Sequence, residues 1–191
     1  MPIRLSQNTE ADALLERDPL ALLIGMVLDQ QIPLEKAFSS PLELTKRLGH
    51  DLDARELAAF DPQELAAVFA ERPALHRFPS SMAGRVQEVA RALVANYDGD
   101  VTQLWADVED GKELLDRIAA LPGFGKQKAA IYLALLGKQR GVRPAGWREA
   151  AGEFGPDGGY KSVADIVDPQ SLLRVRDYKQ QQKAAAKAAA T

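Results

Sequence analysis

The apolar residues of this chain recur at helical spacing. Val86, Val89, Ala90, Leu93 and Val94 fall on one face of a 3.6-residue period, and so do Leu114, Leu115, Ile118 and Leu121. No stretch alternates apolar and polar residues as a half-buried strand would. Leu20 to Leu28 is apolar almost all round, which predicts a central helix buried on every side. A capping residue followed by proline occurs at Asp18-Pro19, Ser40-Pro41, Asp61-Pro62 and Asp168-Pro169. Proline suits the first helical position because its φ is already helical and its missing N–H would find no partner there. At Thr9-Glu10-Ala11-Asp12 and Ser40-Pro41-Leu42-Glu43 a carboxylate also stands three residues after the cap, within reach of a free backbone N–H. The pattern predicts an all-α fold.

The rhythm breaks between residues 138 and 160, which hold six glycines and two prolines; Gly155-Pro156-Asp157-Gly158-Gly159 predicts a loop. From Pro169 to Thr191 the chain carries five basic residues and one acidic one. Alanine and lysine favour helix there, but Ala184 to Ala190 has no large apolar stripe to bury. That end is expected either to fray into solvent or to form a basic tail that contacts phosphates.

Composition narrows the chemistry. Of 191 residues 46% are hydrophobic, which suits one globular unit with a buried core. The absence of cysteine excludes disulfides, thiolate zinc sites, iron–sulfur clusters and thiol nucleophiles. The two histidines, His50 and His76, lie far apart and are expected at the surface or its boundary. The start Met-Pro-Ile-Arg-Leu-Ser has no long apolar run, and the expectation is a cytoplasmic protein, nucleoid-associated if bacterial. Net charge is -3, but it is unevenly spread: Leu121 to Arg148 contains Lys126, Lys128, Lys138, Arg140, Arg143 and Arg148 and no acid. The remaining 18 basic residues face all 27 acidic ones, which predicts one phosphate-attracting face on an otherwise acidic molecule.

Within that basic segment lies Leu121-Pro122-Gly123-Phe124-Gly125-Lys126-Gln127-Lys128-Ala129, between amphipathic stretches at Gly111 to Ala120 and Lys126 to Gly137. Two glycines two apart let the backbone turn sharply and approach another molecule closely. The following helix starts with free N–H groups and the positive end of its dipole beside the turn, where a phosphate fits. Lys126 and Lys128 add charge, and Phe124 is expected to face inward against Leu121 and Leu133. Such contacts go to the DNA backbone and carry no base sequence. The alternative is an ordinary helix–turn–helix corner with a glycine cap.

These residues resemble the helix-hairpin-helix (HhH-GPD) superfamily of base-excision DNA glycosylases, which includes endonuclease III, the mismatch adenine glycosylase and alkyladenine glycosylases. Three pieces carry the likeness, over roughly Pro19 to Gly137: the apolar helix ending in Asp29-Gln30-Gln31, Ser80-Ser81-Met82-Ala83-Gly84-Arg85 opening a long helix, and the Leu-Pro-Gly-x-Gly hairpin. The resemblance implies a single two-lobed unit over 1–191, with a helical bundle at 18–140, the hairpin at 111–137, and a second lobe from 1–17 plus 141–191. A base rotated out of the duplex would enter the cleft between the lobes. Gln30 or Gln31 sits where relatives place a glutamine that fills the gap left by that base, though a plain helix-end amide fits either residue as well. Hairpin carbonyls of Leu121 and Gly123 would hold a structural monovalent cation; no other cofactor is expected. Double-stranded DNA, damaged or distorted, is the implied partner of a monomer.

The chain also departs from the family. Its glycosylases place an aspartate about 20 to 25 residues past the start of the hairpin, where it stabilises positive charge on the sugar. Here that stretch reads Gly141-Val142-Arg143-Pro144-Ala145-Gly146-Trp147-Arg148. Glu149, about one helical turn beyond, and Asp29 are the candidate replacements; a surface partner of Arg148 or Lys138 and a helix-end polar residue are their alternative roles. Bifunctional members carry a Schiff-base lysine where this chain has Gln127, so strand cleavage by that route is not expected. Trp147 either stacks on a base or anchors the second lobe. Three functions compete: a monofunctional glycosylase with an unconventional carboxylate, a silent damage-binding relative, and a helical protein–protein module.

Overall fold

The computed structural model describes residues 2–191. Among them the fold is all-α, ten helices joined by short turns, with no strand. Helix α1 (Thr9–Arg17) leads into α2 (Pro19–Leu28), whose N-terminus is held by Asp18 accepting the Leu20 N–H at 2.8 Å. Every residue from Leu20 to Leu28 is buried, as the apolar run requires. Gly25 on this helix lets α3 (Leu34–Leu48) come close, because a Cβ there would run into the Phe38 ring. Helices α4 (Ala54–Ala59) and α5 (Pro62–Ala70), capped by Asp53 and Asp61, pack on the long α6 (Pro79–Tyr97).

Two expected helix starts move. Asn8, not Thr9, caps α1, its side-chain oxygen taking the Ala11 N–H at 3.0 Å. Asp12 turns back to Ser6, accepting from its N–H at 2.8 Å and its hydroxyl at 2.7 Å. Ser40-Pro41 lies inside α3. The Ser40 hydroxyl is occupied with the carbonyls of Lys36 and Leu75, each at 2.8 Å, and α3 already begins at Leu34. Pro41 lies buried in mid-helix beside Ser40.

Helices α7 (Gly111–Ala119) and α8 (Lys126–Gln139) form the hairpin pair, α7 ending one residue before the expected Ala120 and α8 two residues beyond the expected Gly137. The glycine-rich return that follows contains the short α9 (Trp147–Ala150) and single turns at Gly152–Phe154 and Val163–Asp165, which pack back on α8. The chain ends in α10 (Pro169–Ala189), capped by a reciprocal pair of bonds between Asp168 and Ser171. One continuous set of buried apolar residues runs from Ile3 to Val175. Helix α1 leans on α2 and α3, while the segment before it borders Val167 to Pro169.

Trp147 anchors the return. Its backbone lies so close to Gly111 that a Cβ there would sit 2.7 Å from the Trp147 nitrogen, and its ring covers Gly137. The indole is buried, which resolves its two expected roles in favour of the anchor.

Candidate nucleic-acid interface

The hairpin turn is built as its sequence dictates. The Leu121 N–H reaches the Ile118 carbonyl at 3.0 Å, and the Phe124 N–H closes the turn on the Leu121 carbonyl at 3.1 Å. Gly123 has φ +77°, a left-handed conformation that side chains resist. Gly125 precedes α8 without a side-chain cap, so the first N–H groups of the helix stay available to an anion. Gly123, Gly125, Lys126 and Gln127 are exposed and Pro122 is half-buried. Phe124 does face inward, beside the buried Leu121 and Leu133, and its ring lies 6.1 Å from that of Tyr132. It shapes the turn without presenting a surface.

Most of the basic segment is committed elsewhere. Lys128 reaches across to the end of α2, its ammonium donating to the Met26 carbonyl at 2.9 Å and lying 3.4 Å from that of Val27. Burial pushes its pKa down, while Asp29 pulls it back up. Lys138 is bound to Asp165 at 2.7 Å, and Arg140 to Glu16 at 3.3 Å. Arg143 donates from Nε to the Gly137 carbonyl at 2.8 Å. Arg148 holds both oxygens of Asp157 at 3.1 and 3.0 Å and lies over the Trp147 ring. The segment is free of acid in sequence but not in space, because Glu16, Asp157 and Asp165 arrive from outside it. Arg140, Arg143 and Arg148 therefore serve first to hold the return segment, and Lys126 alone among the six makes no such bond among the described residues.

Positive charge beside the turn comes instead from α6. Arg85 places Nη1 3.0 Å from where a Cβ on Gly123 would stand. The Leu121 and Gly123 carbonyls are neutral oxygen donors of the kind a monovalent ion accepts, but such an ion would share the turn with this guanidinium.

Next to the hairpin, between the turn after α2 and helix α10, lies a cleft of about 750 Å³. Asp29, Gln31, Arg77, Arg176, Lys179 and Lys183 line it. Gln30 and Gln31 separate clearly. The Gln30 amide folds back on the Val27 carbonyl at 2.9 Å and finishes α2, whereas Gln31 is exposed at φ +59°. Asp29 has only 14% of its side chain exposed, with the Lys179 ammonium 3.9 Å away. Burial raises its pKa, and the charges of Lys179 and Lys128 work against that rise.

His76 supports this rim and is buried, contrary to the surface placement expected for it; only His50 is exposed. Its Nε2 donates to the Gln30 carbonyl at 2.8 Å, and its Nδ1 accepts the Phe78 N–H at 3.0 Å. With Nδ1 accepting, this pattern is that of the neutral ring, and desolvation lowers its pKa in the same sense. One imidazole thus joins the glutamine turn to Phe78, an aromatic ring 42% exposed with the Arg77 guanidinium 5.3 Å from its centre. Sequence reasoning missed Phe78, Arg77, Arg85 and Lys179. An aromatic residue set between Arg77 and Pro79 in a polar turn was a readable signal for Phe78; the other three gain meaning only from the packing.

Glu149 does not approach the cleft. It is exposed on α9, and the arginine and lysine expected as its partners are held by Asp157 and Asp165. The whole Ala145-Gly146-Trp147 stretch, where the family's aspartate would stand, is pinned against α7: the Gly111 N–H bonds to the Ala145 carbonyl at 2.7 Å.

The sequence pattern of the HhH-GPD superfamily of base excision DNA repair proteins matches residues 24–190, nearly the whole chain from α2 through α10. No curated protein and no solved structure matches it. With the uncapped glycine hairpin and the helical architecture already in place, that match assigns the chain to the HhH-GPD superfamily of DNA-binding base excision repair proteins.

Proposed function

We propose that the protein is a monofunctional DNA glycosylase that releases a damaged base rotated into the cleft between the α2–α3 turn and α10, with Asp29 as its carboxylate. The observation that carries this reading is the position of Asp29: a largely buried carboxylate on the wall of the cleft, beside the hairpin helix. The hairpin amides and Lys126 take the phosphate backbone. Gln31 fills the place of the departed base, and Phe78 wedges between neighbouring base pairs, unstacking them. Ionised Asp29 faces the sugar, stabilises the positive charge that develops as the glycosidic bond breaks, and accepts the proton of the attacking water. The bond from sugar to base breaks, water oxygen replaces it, and the base leaves with the electron pair. Gln127 offers no amine for an imine, and the Lys128 amine is tied to α2, so strand cleavage through a lysine of the second hairpin helix is not part of this activity.

The test is base release from duplexes carrying uracil, an alkylated adenine or an oxidised guanine, with an abasic analogue to measure binding. Asp29→Asn is expected to lower release by about 10²-fold or more, the scale of a lost electrostatic stabiliser, and to leave binding to the abasic duplex within a few-fold. Glu149→Gln is expected to behave as wild type. Turnover by Asp29→Asn at the wild-type rate would remove Asp29 from the chemistry.

A second reading, a silent damage-binding protein, draws on one specific observation: the stretch that carries the family's aspartate is here built into the packing of Trp147 against Gly111 and Gly137. Salt-sensitive binding to the abasic duplex without base loss, even with protein in excess, selects it. Loss of neither property on making the hairpin bulky at Gly123 and Gly125 would favour a purely structural corner and a protein partner instead.

A further inference from the structure

The outer half of α10 does nothing for the fold. Ser171, Leu172 and Val175 are its buried residues, and the ion pairs of Arg176 with Glu35 and Lys179 with Asp29 fix its middle. From Gln180 to Ala189 every residue is exposed. Alanine and lysine keep that half helical without packing, since the docked turns have already nucleated it. It remains a charged rod that projects from the wall of the cleft.

Its charges are arranged. Lys179, Lys183 and Lys187 recur every four residues and so share one stripe. Between residues 169 and 191 the single acid, Asp177, stands two residues before Lys179 and therefore off that stripe. The stripe starts at the interface already described: Lys179 and Lys183 line the same cleft as Asp29 and Gln31, and Lys179 lies within electrostatic reach of Lys128 on the hairpin helix. Arg85, Lys126, Lys179, Lys183 and Lys187 thus form a basic track from the hairpin outward.

We propose that the outer half of α10 is a second DNA-backbone contact, an arm whose Lys183 and Lys187 take phosphates of the duplex flanking the cleft. The proposal rests on the DNA-binding part of the function above. Lys179 to Lys187 covers about 12 Å of helix axis, and one strand of duplex presents a phosphate roughly every 3.4 Å, so the arm lies along three or four phosphates. It reads no base. It adds grip on either side of the lesion and holds the duplex while the nucleotide leaves the stack.

Binding to an abasic and to an intact duplex, measured across a salt series, tests this with three proteins: wild type, Lys183→Gln/Lys187→Gln and Lys183→Arg/Lys187→Arg. Removing two phosphate contacts is expected to flatten the slope of log K against log salt by about 1.8, equally for both duplexes; the advantage of wild type over the glutamine variant then shrinks about 12-fold between about 50 and 200 mM salt. The arginine variant keeps the wild-type slope. Circular dichroism stays unchanged, because neither lysine is buried. Equal slopes for wild type and the glutamine variant overturn the arm and leave the glycosylase reading standing. Failure of wild type to bind either duplex at the lowest salt overturns both.

Discussion

Asp29 and Glu149 stood together as candidates in the sequence, and what separates them is their surroundings. Glu149 is a solvated side chain on a one-turn helix, whereas Asp29 is enclosed by the end of α2 and the Lys179 stem. Enclosure has a pH consequence. A carboxylate desolvated by burial binds its proton more tightly in the folded protein than in the unfolded chain, so this group stabilises the fold as pH falls through its raised pKa. On the proposed mechanism the active form is the ionised one, present above that pKa and lost below it. The acid limb of base release is therefore expected to have its midpoint above the ordinary aspartate value of 3.8, while far-ultraviolet circular dichroism still reports a native fold there. A limb that tracks unfolding instead would sever activity from Asp29. At the same scale, the sequence left Gln30 and Gln31 equivalent. Only the backbone conformation at the end of α2 tells the capping amide from the projecting one.

At the scale of elements, helix positions were largely legible because apolar spacing and Asp-Pro caps are local signals; three of the four cap-proline pairs start helices. Ser40-Pro41 misled because its hydroxyl found tertiary carbonyls, which no local rule contains. Glycines gave no warning of their two opposite uses. Gly84, within α6, has nothing within 4 Å of a built Cβ, while Gly137, within α8, has the Trp147 ring at 2.8 Å or closer. The same substitution should then change sign. Gly84→Ala is expected to stabilise by about 0.4 to 1 kcal/mol through the unfolded chain. Gly137→Ala, which must displace a boxed indole, is expected to cost about 1 to 3 kcal/mol before a helix-propensity gain of about 1. Denaturant midpoints of the two variants against wild type decide it, and two shifts in one direction would contradict the packing assigned to Trp147.

Across the whole molecule, the segregation of charge seen along the chain dissolves on folding, because distant acids return to the basic segment. Lys138 and Asp165 show the cost of that arrangement. Their side chains are 7% and 5% exposed, Lys138 also donates to the Pro156 carbonyl, and Asp165 also accepts the Lys161 N–H. The pair clamps the glycine-rich return onto the hairpin helix. Lys138→Met strands a buried carboxylate and is expected to destabilise by about 3 to 5 kcal/mol, whereas adding Asp165→Leu should recover most of the loss. Calorimetry of the single and double variants checks this, and a double variant no more stable than the single one would show that the clamp acts through its geometry and not its charge. The all-α family fold was legible from the hairpin and the order of its neighbours; which of Asp29 and Glu149 lies in the cleft, and which basic residues stay unpaired, were not, since both depend on which side chains the fold has already used.

Lys128 carries one more consequence. By closing the end of α2 from the first turn of α8, it welds the hairpin turn to the part of the chain that holds Asp29 and Gln31. On the proposed function this wall of the cleft rides at a fixed height over the sugar–phosphate rail, like the tip of a depth gauge. On that function a stacked nucleotide would stop short of it, and a lesion would be measured by how far its base travels outward before any chemical feature of that base is felt.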